Sequence, residues 1–270
     1  MEYIVPPMIS KIKFISLSSG SSGNCYFIGN DKMSLIIDAG ISVRAIKRGL
    51  AEYDIELDSI DMILLTHDHH DHIKHIATLA SKYSKPIYAT APLHKVLERK
   101  GSKIANTRVL EKEIPVTVKG VEITAFEVSH DATDAVGFHI DMFGERFTII
   151  TDLGVVTKRV KEYCKISNHI VIESNYDVEM LANGGYEPFL IDRIRGGRGH
   201  LSNEQAAEAI EGFYHDRIKN IFLCHLSDNN NTPKIAYETA ANMLSKMGVN
   251  IGEGMNLHCL PRKDSKCYLI

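Results

Sequence analysis

The chain has 270 residues, 44% of them hydrophobic, and a formal net charge of −3. That size and apolar fraction, with no composition break, fit one globular domain over residues 1–270 better than two small ones. The near-neutral charge excludes a protein wrapped in a global basic field, so contact with a polyanion requires a local patch of Lys and Arg.

The amino terminus, Met1-Glu2-Tyr3-Ile4-Val5-Pro6-Pro7, lacks the charged and apolar regions of a secretory signal. Residues 11–17, 24–28 and 34–38 read as short strands separated by Gly, Ser and Asn, so the chain opens as a meander. A helix over 42–51 follows, with Ser42 as its N-cap. The apolar run 61–65 reads as a strand, and 71–83 as a helix. Residues 87–89 form a short strand, and 92–100 a helix stopped by Gly101.

Strands over 115–118, 121–128, 136–142 and 147–151 make a second strand-rich stretch. Beyond it come a helix over 156–164, a strand over 170–173, helices near 177–181 and 188–193, and a stronger helix over 203–213. The chain closes with a strand at 221–224, a helix at 233–247 and strands near 257–260 and 267–270. Two strand-rich halves with interleaved helices imply two sheets packed face to face with helices outside. The longest apolar runs are strand-sized, too short to cross a membrane. Five cysteines, odd in number and with no C-x-x-C pair, imply free thiols and a reducing, cytoplasmic setting. Cys224 is assigned to packing, because alternation along its strand turns it away from His225.

The most informative stretch is Thr66-His67-Asp68-His69-His70-Asp71-His72, directly after the apolar run 61–65. Histidines at i and i+2 on a loop leaving a strand point the same way, and Asp71 and His72 face a second point nearby. Imidazole and carboxylate are the ligands that borderline divalent metals prefer. A histidine-rich solvated loop is the bland alternative, and the spacing behind a buried strand argues against it. His70 takes the variable position, and His75, His94, His139, His169, His215 and His258 fit no motif.

This pattern resembles the signature of the metallo-β-lactamase superfamily, and the rest of that signature follows in order. Asp38 ends the run Ile36-Ile37-Asp38, His130 ends the strand over 121–128, Asp152 follows Ile149-Ile150-Thr151, and His225 follows Leu223-Cys224. The resemblance implies an α/β (α+β) fold, a four-layer αββα sandwich, with two divalent metal ions, zinc or manganese. It assigns His67, His69 and His130 to one ion, Asp71, His72 and His225 to the other, and Asp152 to the bridge. Asp38 then supports the loop from behind the ligands. Such a pair activates a hydroxide, which Asp71 also orients as a base.

Further features are similar to the YycJ (WalJ) family within that superfamily, described as 5′-to-3′ DNA exonucleases. They are Leu17 through Asn24, Gly199-His200-Leu201-Ser202-Asn203, and His225-Leu226-Ser227 followed by Asn230-Asn231-Thr232-Pro233. His200 precedes an S-x-x-Q capping box whose free N–H groups favour an anion. Phosphodiesterase branches place a leaving-group acid there, and the resemblance carries that role to His200. Ser21, Ser22, Asn24, Arg198 and Ser202 are expected to touch substrate, and the basic run Arg193 to Arg198 is expected to guide DNA. The turn Arg195-Gly196-Gly197-Arg198 is more glycine-rich than the family pattern and leaves fine substrate contacts open. Two alternatives stand beside the exonuclease: a small-molecule hydrolase of the same fold (cyclic phosphodiesterase, thioesterase or lactonase), and a non-catalytic, metal-stabilised regulator.

Overall fold

The computed structural model describes residues 11–102 and 104–270; the amino-terminal stretch examined for a signal lies outside them. Among the described residues two seven-stranded sheets pack face to face. The first runs in the order β14-β1-β2-β3-β4-β5-β6, the second β13-β12-β11-β10-β9-β8-β7. The first sheet holds β1 (Lys13–Ser18), β2 (Cys25–Gly29), β3 (Ser34–Ile37), β4 (Met62–Leu64), β5 (Ile87–Thr90), β6 (Thr107–Leu110) and β14 (Lys266–Leu269). The second holds β7 (Val116–Val118), β8 (Val121–Glu127), β9 (Val136–Met142), β10 (Glu145–Ile150), β11 (His169–Glu173), β12 (Asn220–Cys224) and β13 (Asn256–Cys259).

Strand alternation explains the layers. On β1, β3, β11 and β12, Phe14, Leu35, Ile37, Val171, Phe222 and Cys224 face the core between the sheets. Their neighbours turn outward: Ile15 and Ile36 meet the helices α1 (Val43–Ala51), α3 (Ile76–Tyr83) and α4 (Ala91–Arg99). Ile170, Ile172, Ile221 and Leu223 meet α5 (Lys158–Cys164), α8 (Asn203–Phe213) and α9 (Pro233–Lys246). Both faces of the central strands are therefore buried, which accounts for their continuous apolar runs. The inter-sheet core is aromatic, with the Phe14 and Phe222 rings 4.6 Å apart.

β3, β4 and β5 are parallel, as are β10, β11 and β12. Their carboxyl ends lie along one edge of the sandwich, where an open α/β layer gathers ligands. Two elements depart from the sequence pattern. β6 has no counterpart in it: three of its four residues are exposed, and Val109 and Leu110 alone make too short an apolar run to mark a strand. The helix expected over 71–83 is split into α2 (His70–Ile73) and α3, because the His75 N–H donates to the Ala39 carbonyl (3.0 Å) and draws the chain off the helical path. All five cysteines are free, and Cys25, Cys164 and Cys224 are buried. No helix of the described residues is long and apolar enough to cross a membrane.

Candidate metal centre

Every residue of the sequence-derived ligand set reaches one cleft edge. His67, His69 and His130 place ligand atoms within 4.8 Å of one another, as do Asp71, His72 and His225, and as do His67, His72 and Asp152. Two strand ends are bent sharply to do this. Asp38, after β3, and His225, after β12, adopt left-handed backbone (φ 62° and 51°), a conformation uncommon for residues with a Cβ and concentrated at functional sites. Gly40 has no such freedom to lose, but a Cβ there would stand 1.7 Å from the Asp71 carbonyl. Its hydrogen side chain lets the loop after β3 lie directly under α2.

The hydrogen bonds orient the imidazoles. His72 Nδ1 bonds Asp38 Oδ2 at 2.7 Å, and the same carboxylate accepts from the Thr66 N–H and hydroxyl at 2.9 and 2.8 Å. His130 Nδ1 faces the Gly199 carbonyl at 2.9 Å, and His67 Nδ1 the Thr66 hydroxyl at 3.0 Å. His225 Nδ1 lies 2.9 Å from Glu173 Oε1 and 3.0 Å from Asp152 Oδ2. With each Nδ1 occupied, the Nε2 of each ring turns into the cluster, the arrangement metal-bound histidines use, although His72 Nε2 also lies 3.0 Å from Asn24 Nδ2. His67 Nε2, His225 Nε2 and Asp152 Oδ1 are buried with no hydrogen-bond partner. His69 Nδ1 and His130 Nε2 face each other at 3.1 Å.

The electrostatics divide the donors: burial opposes charge on His72 and His225, but Asp152 and its neighbours outweigh it and raise both rings well above the ordinary value, so a cation there displaces protons from them. Burial, reinforced by His72, drops the His67 pKa well below the ordinary value, so the ring is a neutral ligand. Burial also opposes charge on Asp152, but His225 and His72 outweigh it and hold the carboxyl well below its usual range. Asp71 is likewise depressed: burial is overcome by His72 and His225. A buried carboxylate, Asp152, and a half-buried one, Asp71, that stay ionised beside the unpartnered Nε2 atoms of His67 and His225 fit divalent cations.

Glu173 was not legible in the sequence as a site residue. It is fully buried at the end of β11, and its Oε1 accepts from His200 Nδ1 at 2.7 Å as well as lying against His225. Its other oxygen accepts from the backbone N–H groups of Leu153 (3.0 Å) and Leu201 (3.2 Å). Burial disfavours the His200 imidazolium, yet Glu173 outweighs it and raises the pKa. His200 stands at the lip of a cleft of about 270 Å³ that it lines with Ser21, His69, Asp71, Asp152 and Arg193.

Several residues expected to meet substrate are placed otherwise. Ser21 borders the cleft, whereas Ser22 lines a separate depression with Arg48 and Ser265. Asn24 is fully buried beneath the ligands, where its Nδ2 donates to Asp71 Oδ2 at 3.1 Å; it holds a ligand instead of reaching substrate. Ser202 caps α8: its hydroxyl accepts from the Gln205 N–H, and the Gln205 side chain accepts from the Ser202 N–H. The Arg198 guanidinium donates to the His130 carbonyl at 3.1 and 3.2 Å. It lines a larger depression, about 640 Å³, across the His130 loop. Arg193 pairs with Asp131 at 2.5 Å, and Asp131 also approaches His69 Nε2 (3.5 Å). The glycine-rich turn has a steric reason at Gly199, where a Cβ would stand 2.2 Å from the Arg193 and Ile194 carbonyls.

A buried His and Asp cluster at the strand ends of two facing sheets defines a metallohydrolase-like centre. The chain belongs to the β-lactamase superfamily: the family model described as "Beta-lactamase superfamily domain" matches residues 34–225. It is 34% identical over 252 residues to a Bacillus anthracis protein named exodeoxyribonuclease YycJ, covering 92% of this chain and 94% of that one. It is 35% identical over 244 residues to exodeoxyribonuclease WalJ of Streptococcus pneumoniae serotype 2, covering 89% and 91%. Among solved structures, the metallo-β-lactamase fold protein YhfI from Bacillus subtilis superposes with a TM-score of 0.72 at 14% identity, covering 96% of this chain and 99% of that one. Zn(2+)-bound PqqB from Methylobacterium extorquens gives 0.69 at 15% identity, covering 95% and 99%. These two likenesses establish the fold.

Proposed function

We propose that residues 1–270 act as one unit, a cytoplasmic, metal-dependent 5′-to-3′ DNA exonuclease that hydrolyses phosphodiester bonds. The observation that carries this reading is the pair His200 and Glu173 packed directly against the metal donors, with Glu173 Oε1 2.7 Å from His200 Nδ1 and 2.9 Å from His225 Nδ1. It is supported by relatives named exodeoxyribonucleases over nearly the whole chain. His67, His69 and His130 would hold one cation, Asp71, His72 and His225 the other, with Asp152 between them; zinc and manganese both suit this set. Such cations supply Lewis acidity toward the phosphoryl oxygens and lower the pKa of water.

The remaining work falls to side chains of the chain itself. Asp71, half-buried on the cleft floor, accepts a hydrogen bond from an attacking water and aims it at phosphorus. His200, kept protonated by Glu173, donates from Nε2 to the departing oxygen. Ser21 and Arg193 line the entrance, where a hydroxyl and a guanidinium engage phosphate oxygens. DNA approaches through this local basic element, since the chain as a whole carries a net charge of −3.

The test is an assay of purified protein on 5′-labelled and 3′-labelled DNA, with zinc or manganese restored after chelation. The expected result is release of mononucleotides from the 5′ end. Release only from the 3′ end overturns the polarity. Turnover of small cyclic diesters, thioesters or lactones with both DNA ends intact moves the chain to the small-molecule reading.

A further inference from the structure

Tyr26 lies on β2, and its ring stacks beside Phe14 in the core between the sheets, with centroids 6.4 Å apart. The side chain is wholly buried, so its hydroxyl requires a polar partner inside the protein. It has two, the Ser19 hydroxyl at 2.8 Å and Asn24 Oδ1 at 3.2 Å. Both stand on the loop over 19–24 that joins β1 to β2.

The direction of each bond follows from its neighbours. Asn24 Oδ1 also accepts from the Gly20 N–H (3.0 Å), which fixes that atom as the oxygen and turns Nδ2 toward the Gly20 carbonyl (3.1 Å) and Asp71 Oδ2 (3.1 Å). An amide oxygen cannot donate, so Tyr26 gives its one proton to Asn24 and accepts from the Ser19 O–H. Burial raises the phenol pKa well above its ordinary value and keeps that proton in place. Ser19 Oγ in turn accepts from the His225 N–H at 2.9 Å. One directed chain therefore runs from the His225 backbone through Ser19, Tyr26 and Asn24 to Asp71, and both of its ends belong to donors assigned to the same cation.

The chain also holds Asp71 asymmetrically. Oδ2 takes the Asn24 bond and faces His72 Nε2 and His225 Nε2, each at 3.4 Å. Among the described residues no protein group bonds Oδ1, which leaves it for a water in the cleft that Asp71 lines. The other histidine set stands outside the chain, with His67 and His130 oriented by Thr66 and Gly199. Backbone bonds secure the loop independently of the hydroxyls: the Asn24 N–H donates to the Asp71 carbonyl (2.8 Å), and the Asn24 carbonyl accepts from the Gly40 N–H (2.9 Å).

Resting on the two-cation assignment above, we infer that Tyr26 is a positioning residue for one of the two cation sites. Through Ser19 and Asn24 it holds Asp71 Oδ2 and the His225 turn in fixed relation. The set Asp71, His72 and His225 then depends on a hydroxyl that touches neither the donor atoms nor the substrate, and the set His67, His69 and His130 does not.

The test is Tyr26→Phe, which removes one oxygen and keeps the ring. Tyr268→Phe is the control, because its hydroxyl is buried in the same core without a hydrogen-bond partner. Full-length metal-free protein is titrated with cobalt(II) in competition with a chromophoric chelator, and the two affinities and the visible bands of bound cobalt are read. Tyr26→Phe should weaken one ion roughly 10-fold or more and the other by less than about 2-fold. The band that survives at limiting cobalt should match that of His225→Ala and differ from that of His69→Ala. On DNA with metal in excess, kcat should fall with KM little changed. Ser19→Ala should reproduce the pattern, and it carries the test where Tyr26→Phe does not fold. Tyr268→Phe should alter neither affinity. Equal weakening of both ions, wild-type affinities in both Tyr26→Phe and Ser19→Ala, or the same loss in Tyr268→Phe overturns the proposal. Wild-type protein that holds two ions but leaves DNA intact removes the exonuclease reading alone. Wild-type protein that binds fewer than two removes the two-cation assignment and the proposal with it.

Discussion

His200 and Glu173 carry the sharpest expectation at the scale of single residues. His200→Ala should reduce turnover of an unactivated phosphodiester by about 100-fold or more while sparing metal content, because an acid to protonate the leaving oxygen is lost. A nitrophenolate leaving group needs little protonation and should suffer less; equal losses on both substrates contradict the acid role. Glu173 raises the His200 pKa, and the acid form is lost as pH rises through that value. Glu173→Gln should therefore move the basic limb of the pH profile to lower pH. The cluster of candidate donors was legible in the sequence because His130, Asp152 and His225, like the supporting Asp38, each follow an apolar strand, and the H-x-H-x-D-H loop carries the rest. Glu173 stands at the same kind of strand end, after Ile170-Val171-Ile172. No motif surrounded it, and its only signal was a lone carboxylate closing an otherwise apolar run. Asn24 and Ser202 sit in motifs that attract a substrate reading, whereas their side chains are occupied by Asp71 and by helix capping.

Between elements, a buried polar link joins β9, β10 and the loop after α5. His139 Nδ1 lies 3.2 Å from the Thr148 hydroxyl and 3.2 Å from that of Ser167, and these two hydroxyls are 2.7 Å apart. Burial lowers the His139 pKa to about 4 from its ordinary 6.5, against a smaller opposing pull from Asp141. The unfolded chain therefore binds the proton more readily than the folded one between those values. The stability from keeping His139 neutral is present above about pH 6.5 and is lost as pH falls toward 4, on the order of 3 kcal/mol in all. Urea unfolding at pH 4.5 and 7.5 should show a smaller pH difference for His139→Gln than for wild type, and identical differences contradict the assignment. Element boundaries were legible where both strand faces are buried, and less so elsewhere. The exposed edge strand β6 left only the pair Val109-Leu110 as a signal, and the break between α2 and α3 comes from the tertiary bond of His75 to Ala39. The left-handed turns at Asp38 and His225 are set by long-range packing, which local sequence does not encode.

For the molecule as a whole, the two sheets bring residues from 38 to 225 to one edge, and the account stands on what that edge holds. Donors that follow β4, β8, β10 and β12 converge only when the αββα layers close, so metal affinity and folding are coupled. The depressed Asp71 and Asp152, the oriented imidazoles and the buried Nε2 atoms of His67 and His225 all point to one property. Elemental analysis of gently purified protein, beside Asp152→Ala, measures it directly. The account predicts about two divalent ions per wild-type chain and a marked loss in the variant, whose bridge is gone. A folded, metal-replete wild-type sample with no ion bound at these residues, or full retention in Asp152→Ala, would contradict it.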